Sequence, residues 1–140
     1  MPAPDPMIAA IREWLFKADN DLTNAVHTVT LLDQCPTDTV CFHVQQCVEK
    51  YLKALLVCQG TPFPKSHDIA TLRALLPPKM RPKLTIKVQE RLTEYAVVLR
   101  YPLAGPEVSL AEARKAVAIA RRVRREVRRH LPPAALRRKK

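Results

Sequence analysis

The chain has 140 residues, 47% of them hydrophobic, and a formal net charge of +11. This length suits one hydrophobic core and therefore one domain, and no apolar run reaches the roughly 18 to 20 residues that span a bilayer. The start, Met1 to Asp5, lacks the basic and apolar regions of a secretory signal, which predicts a cytoplasmic protein that does not associate with a membrane.

The four cysteines agree with a reducing compartment. Cys35, Cys41, Cys47 and Cys58 form no C-x-x-C pair, and three of them occupy helical positions, where a thiol acts as a small hydrophobic side chain. This spacing does not suit a structural zinc site. We therefore predict neither a metal ion nor a cofactor.

The pattern of residues predicts an all-α fold, because glycine occurs only twice and almost no stretch alternates apolar and polar residues. Apolar residues at helical spacing, together with prolines and capping residues, set the expected helix limits. The predicted helices run over Met7–Leu32, Thr39–Gln59, Ser66–Leu76 with Ser66 as N-cap, Pro82–Leu99, and from the Ser109 cap to Pro132-Pro133. Residues 1–131 are expected to form one helical domain, and residues 132–140 a basic, disordered tail.

The second predicted helix carries polar residues within its apolar stripe. Phe42, Gln45, Glu49, Leu52 and Leu56 recur at i, i+3, i+7, i+10 and i+14, so two polar side chains share a row with three large apolar ones. We therefore expect Gln45 and Glu49 to be half-buried. A carboxylate in such a place needs a cation or hydrogen-bond donors.

The positive charge is concentrated at one end of the chain. Residues 1–113 hold equal numbers of acidic and basic residues, whereas residues 114–140 hold 12 Lys/Arg and a single acid, Glu126. Such asymmetry is typical of chains that contact a polyanion, and it also occurs in solvated helix ends that bind nothing. The candidate nucleic-acid contacts are Arg121, Arg122, Arg124, Arg125, Arg128 and Arg129.

Three stretches together resemble the HEPN domain, the higher eukaryotes and prokaryotes nucleotide-binding family. They are the helix Cys41–Gly60, the sequence Ser66-His67-Asp68-Ile69, and Tyr95 followed by Arg100-Tyr101-Pro102. The resemblance implies an up-and-down bundle of four to five helices that usually forms a homodimer. It also implies a minimal nucleotidyltransferase as partner, contact with a nucleotide or RNA, and a place in a two-component system of the toxin-antitoxin kind.

The ribonucleases of that family carry an arginine followed, after four to six residues, by a histidine. After Arg100 the corresponding positions hold glycine, proline and glutamate, so the motif is absent there. Arg124 and Arg125 precede His130 at a suitable spacing, but a run of arginines makes such a match nearly automatic. His130 is therefore either a catalytic base or a solvated imidazole, and the sequence leaves enzymatic activity open.

The second helix also offers a candidate site for a nucleotide or a partner protein, because neighbouring ends of antiparallel helices lie close together in a bundle. A structural interpretation is equally open, in which Glu49 forms an ion pair with Arg100 and His67-Asp68 belongs to a helix cap. The candidate residues are Gln46, Glu49, Lys50, Lys53, His67, Asp68, Arg100 and Tyr101.

No glycine-rich phosphate loop is present in the sequence, so side-chain cations or helix N-termini would have to hold any nucleotide. We therefore predict a HEPN module that binds a nucleotide or RNA and associates with a nucleotidyltransferase, without assigning catalysis to it. Two alternatives remain: a metal-independent ribonuclease of the toxin type, and a non-catalytic scaffold that dimerises.

Overall fold

The computed structural model describes residues 5–98 and 108–137, and the regular secondary structure in these ranges is entirely helical. The α-helices are α1 (Pro6–Thr28), α2 (Thr37–Cys58), α3 (Ile69–Ala74), α4 (Ile86–Val98), α5 (Leu110–Arg128) and α6 (Pro133–Leu136). Two short 3₁₀ helices, Val29–Gln34 and Pro78–Met80, follow α1 and precede α4. The predicted all-α bundle is confirmed.

The second helix, α2, lies at the centre of the bundle. It packs along α1 and also contacts α3, α4 and α5. Its fully buried apolar side chains are Val40, Cys41, Val44, Cys47, Val48, Tyr51, Leu52, Ala54, Leu55 and Leu56. Any polar side chain that shares this interior must find its hydrogen-bond partners within the bundle.

The fifth helix, α5, packs against α2 and α1 through a row of small side chains. The buried residues of this row are Ala113, Ala116, Val117, Ala120, Val123 and Val127. Small residues permit close approach of the helix axes, and the long arginine side chains between them are left at the edges of the interface. The basic part of the sequence is therefore built into the bundle.

The first helix is shorter than the apolar spacing predicts. The prediction extended it to Leu32, but the α-helix ends at Thr28 and a 3₁₀ segment follows, in which Leu32 has a φ of 54°. A leucine at positive φ cannot continue a right-handed helix, so the chain turns there toward α2.

The third helix begins at Ile69 and has a different cap from the one predicted. The Asp68 carboxylate accepts a hydrogen bond from the backbone N–H of Thr71 at 2.9 Å. Ser66, the predicted N-cap, instead accepts from the N–H of Asp68 at 3.1 Å. Ser66 therefore orders the loop before the helix, and Asp68 starts the helix itself.

The fourth helix begins at Ile86 and not at Pro82, because the backbone before it is bonded to other elements. The Pro82 carbonyl accepts from Arg73 Nε at 2.8 Å, and the Lys83 N–H donates to Glu126 at 3.0 Å. These contacts hold residues 82–85 outside the helix. The predicted end of this helix, Leu99, lies outside the described residues.

The last long helix agrees with the prediction at its start and differs from it at its end. Ser109 caps α5 as predicted, since its hydroxyl accepts from the N–H of Glu112 at 3.0 Å. After Arg128, however, Pro133–Leu136 form α6, with Ala135 only 2% exposed. The part of the predicted disordered tail that the structure describes is thus partly helical and packed on α1.

No helix within the described ranges has the length and apolar character needed to cross a membrane.

Candidate functional site

The arginines of α5 leave the helix on more than one side. Those that line a groove between α5 and α1 are Arg121, Arg124, Arg125 and Arg128. Arg122 lies elsewhere, and its Nη2 donates to the backbone oxygen of Lys83 at 2.5 Å. Arg129 is exposed and does not line the groove. The six candidate nucleic-acid contacts therefore divide into four that share one surface and two that do not.

This surface, which we call the arginine groove, has two walls and a volume of about 950 Å³. The four arginines of α5 form one wall, and α1 supplies the other with residues that include Phe16, Asn20, Thr23 and His27. Leu136 of α6 and Arg137 also line the groove. Part of the groove is therefore formed by the segment that was predicted from the sequence to be a disordered tail.

Among the residues that the structure describes, one carboxylate lines the groove, and it is already paired. Asp19 accepts from Arg124 Nε at 3.1 Å and from the hydroxyl of Tyr51, a residue of the core. Burial acts to lower the pKa of Arg124, but its hydrogen bond to Asp19 and the negative charge of Asp19 outweigh this, so the pKa is raised. Arg124 therefore stays charged and is held in place by Asp19.

The other three arginines of the α5 wall have no acidic partner among the described residues. Among residues 5–98 and 108–137, no ion pair involves Arg121, Arg125 or Arg128. Three guanidinium groups on one face of a helix make a strongly positive wall, and each has planar donors that match phosphate oxygens. This wall can hold an anionic ligand.

Candidate residues of α2 form a different kind of site, a cluster in which the buried side chains of Gln45, Glu49 and Lys53 meet the exposed side chain of His67. We call it the Glu49 cluster. The Glu49 carboxylate accepts from Lys53 Nζ at 3.0 Å and from Gln45 Nε2 at 3.2 Å, and lies 2.7 Å from His67 Nδ1. Its side chain is only 4% exposed. The carboxylate is thus buried more completely than predicted, and it is satisfied on both oxygens.

Aromatic rings cover the cationic end of this cluster. Lys53 Nζ lies 5.4 Å from the centre of the Trp14 ring and 5.7 Å from that of Phe63. The two rings meet edge to face with centroids 6.2 Å apart. A lysine held between a carboxylate and two rings is well stabilised and poorly accessible, which favours a structural role.

The remaining candidates of this region have separate partners. Gln46 donates to Gln45 Oε1 at 2.6 Å and so completes the Glu49 cluster. Lys50 points elsewhere and forms an ion pair with Asp21 at 2.5 Å. Asp68 caps α3. Of the predicted residues that the structure describes, Gln46, Glu49, Lys53 and His67 therefore lie together, whereas Lys50 and Asp68 have other partners.

Arg100 and Tyr101, and with them the predicted Glu49–Arg100 pair, lie outside the described residues. Within those residues, the cationic partners of Glu49 are Lys53 and, when protonated, His67. The coupling of Glu49 to Arg100 therefore stays a prediction.

Two histidines lie near the arginines of α5. His130 is exposed in the turn after the helix, and His27 lines the groove. In the part of the chain that the structure describes, neither ring is hydrogen-bonded to a carboxylate or a backbone carbonyl. Neither imidazole is held in one orientation as a general base requires.

Among the described residues, the buried cysteines are poorly suited to act as nucleophiles, and no group of side chains is suited to bind a metal ion. Burial raises the pKa of Cys41 to about 12 and likewise raises the pKa of Cys47, so both stay protonated at neutral pH. Within residues 5–98 and 108–137, no group of three His, Cys, Asp or Glu side chains could hold a metal ion.

Sequence reasoning missed the α1 wall of the groove. Its signal was present, because Arg12, Phe16, Asn20, Thr23 and His27 recur at helical spacing and form a row distinct from the buried stripe of α1. A row of exposed polar residues with one phenylalanine is common on a surface helix, so its spacing alone did not indicate a groove. The row is recognised as a wall only because the structure places the basic helix α5 opposite it.

Comparison with known proteins agrees with this architecture. The family model described as the HEPN domain matches residues 11–130. The crystal structure of TT1696 from Thermus thermophilus is similar, with 28% identity and a TM-score of 0.71 over 86% of this chain and 98% of that one. The structure of ST0689, an archaeal HEPN homologue, has 24% identity and a TM-score of 0.65 over 84% and 94%, and this likeness concerns the fold alone. No curated protein matches the chain.

Proposed function

Since the chain belongs to the HEPN domain family, we propose that it is a nucleotide- or RNA-binding module whose arginine groove holds phosphate groups. The observation that carries this proposal is the set of three groove arginines, Arg121, Arg125 and Arg128, that have no acidic partner among the described residues. Phosphate is the abundant cellular anion whose geometry matches a guanidinium fork.

Arg124 has a supporting part in this proposal. Its pairing with Asp19 fixes one arginine of the wall and neutralises the acid that lines the groove. The net potential of the groove is therefore positive, and a polyanion is attracted to it over a distance set by the ionic strength.

The binding test compares two sets of three substitutions that remove the same charge. Arg121→Gln, Arg125→Gln and Arg128→Gln change the groove, whereas Lys65→Gln, Lys79→Gln and Lys87→Gln change exposed positions outside it. Gel shifts with labelled RNA at two salt concentrations should show strong loss for the groove variant and little for the control. The wild-type affinity should fall steeply with salt through counterion release.

Equal losses in the two variants would show that only the total charge matters and would end the proposal for this groove. Arg124 is left unchanged in the design, because removing it would also release Asp19 and disturb the hydrogen bond of Tyr51.

We propose further that binding is not accompanied by cleavage. Metal-independent cleavage needs a positioned base for the 2′-hydroxyl proton, and the histidines near the groove, His27 and His130, lack an orienting partner among the described residues. Labelled RNA incubated with the protein should stay intact. Cleavage that His27→Ala or His130→Ala abolishes would instead establish the ribonuclease alternative.

The family also suggests assembly, and we propose a homodimer that associates with a minimal nucleotidyltransferase. Two exposed leucines, Leu31 at 50% and Leu32 at 54%, are available after α1 for such contacts. Light scattering of the purified chain, and co-purification with the product of a neighbouring nucleotidyltransferase gene, test the two parts separately. A monomer at micromolar concentration rejects the first, and failure to co-purify rejects the second.

A further inference from the structure

The two walls of the arginine groove differ in chemistry. The α5 wall is cationic, whereas the described residues of α1 that line the groove include one arginine, Arg12, and one acid, Asp19, which pairs with Arg124. The rest of the α1 wall includes one phenylalanine, Phe16, and several hydrogen-bonding side chains, among them Asn20 and Thr23. A ligand that fits both walls has a charged side and a flat, polar side.

Phe16 is the distinctive residue of the α1 wall. Its side chain is 52% exposed, although most large apolar residues of the chain are buried. A phenylalanine on a wall that faces arginines offers a flat surface to a ring whose other side carries negative charge. Asn20 lies one turn further along the same face of α1, and its amide can both donate and accept hydrogen bonds.

We infer that the groove binds single-stranded RNA, with the phosphates along α5 and a base stacked on Phe16. This inference rests on the proposed function and names its substrate class. In a single strand the bases are free to turn toward one wall while the phosphates face the other. In a duplex the bases are paired and stacked inside, so a duplex would leave Phe16 without a partner.

The length of the groove agrees with a short single-stranded segment. The α1 wall from Phe16 to His27 extends about 17 Å at the rise of an α-helix. Single-strand sites in proteins start at about four nucleotides, which suits a wall of this size. The phosphates of the RNA would contact three arginines, and one base would stack on Phe16. Neither contact depends on the identity of the base, so the site gains affinity without strict sequence preference.

The experiment separates stacking from charge. Phe16→Ala should weaken binding of a short labelled single-stranded RNA about 10-fold, the typical effect of losing one stacked base. Phe16→Trp should bind at least as well as the wild type because it keeps the flat ring. Ile86→Ala is the matched control, since Ile86 is 74% exposed and lies outside the groove, and it should bind like the wild type.

The salt dependence of binding distinguishes this inference from the proposed function. Phe16→Ala should keep the wild-type salt slope because it removes no phosphate contact, whereas the variant with Arg121, Arg125 and Arg128 changed to glutamine should have a smaller slope. A duplex of the same sequence should bind more weakly than the single strand.

Three results would overturn the inference. Unchanged affinity in Phe16→Ala, or equal affinity for duplex and single strand, would show that no base stacks on Phe16. The arginine variant would still test phosphate binding independently. Conversion of a dimer to a monomer by Phe16→Ala, seen in light scattering, would show that the groove is an interface between copies of the chain. Wild-type RNA affinity in every variant, including the arginine variant, would instead reject the proposed function itself.

Discussion

The Glu49 cluster and the arginine groove both collect charged residues, but they balance them differently. In the cluster one carboxylate, 4% exposed, meets an ammonium group, an amide and an imidazole. In the groove three guanidinium groups have no acid among the described residues. A buried charge without partners costs several kcal/mol, whereas an exposed charge is solvated by water. A buried charged group therefore needs a complete set of partners, whereas exposed groups can keep an excess of positive charge that is available to a ligand.

A hydrogen-bonded link joins the core to the groove. The Tyr51 hydroxyl, in the core of α2, donates to Asp19, and Asp19 in turn pairs with Arg124. Burial raises the pKa of Tyr51, and the charge of Asp19 adds to this effect. The link holds one arginine of the wall, while its three neighbours stay free for a ligand.

The largest expected effect tests the buried side of this comparison. Glu49→Ala should lower the free energy of unfolding by about 3 kcal/mol, because Lys53 is left buried without its carboxylate. Urea unfolding followed by circular dichroism measures this loss. The matched control is Glu90→Ala, since Glu90 is exposed on α4, and its effect should stay within about 0.5 kcal/mol.

The same pair can be examined in a double-mutant cycle. Glu49→Ala combined with Lys53→Met should cost less than the sum of the single changes, because the double variant leaves no uncompensated charge. Simple additivity would show that the two residues are not coupled and that the cluster owes its stability to packing.

A smaller effect is expected where the groove meets α6. A chain ending at Leu131 loses the buried side chain of Ala135, the packing of Leu136 and the bond from Arg12 to the Arg137 carbonyl. It should keep its fold but unfold at lower urea, with a loss of about 1.5 kcal/mol from the apolar area exposed. A chain ending at Arg137 is the control, and equal midpoints for the two would mean that α6 contributes nothing.

The link between the two regions should contribute less. Tyr51→Phe removes one hydrogen bond to Asp19. Because Asp19 keeps Arg124 as a partner, the free energy of unfolding should fall by about 1 kcal/mol at neutral pH. A loss as large as that of Glu49→Ala would show that the link is as structural as the cluster.

The pH dependence of this variant follows from the raised pKa of Tyr51. In the unfolded chain a tyrosine ionises near its ordinary pKa of 10.0, so the wild type should lose stability as the pH rises above that value. Tyr51→Phe removes this contribution, so the variant should lose less stability than the wild type over the same rise in pH. Unfolding measured at neutral pH and above pH 10 compares the two slopes, and equal slopes would contradict the raised pKa.

The smallest expected effect on stability belongs to the groove. Changing Arg121, Arg125 and Arg128 to glutamine should alter the free energy of unfolding by less than about 0.5 kcal/mol, because these side chains form no ion pair with any residue that the structure describes. The same variant is the one expected to lose RNA binding. A large loss of stability would show that these arginines are structural, as the members of the Glu49 cluster are.

Several local features were readable from the sequence because they depend on neighbours along the chain. The spacing of apolar residues predicted the helices, and the cap at Ser109 was confirmed. Where a local signal met a competing tertiary contact, the prediction failed. The backbone of Pro82 and Lys83 is bonded to Arg73 and Glu126, and this moved the start of α4 to Ile86.

The site was predicted only in part, for a related reason. The position of Glu49 in an apolar row predicted a half-buried carboxylate, but the structure buries it almost completely, and its partners come from α2 itself and from His67 before α3. A helical row shows which face is buried, and it does not show which distant side chain that face will meet.

By itself, the sequence determined the all-helical class and the concentration of positive charge after residue 113, because periodicity, composition and charge are properties of the chain. Only the tertiary structure decided that four arginines face Phe16 and Asn20 across a groove, and that Asp19 neutralises one of them. The reason is physical: Asp19 of α1 and Arg124 of α5 are 105 residues apart in the chain, and their contact depends on how both helices pack against α2.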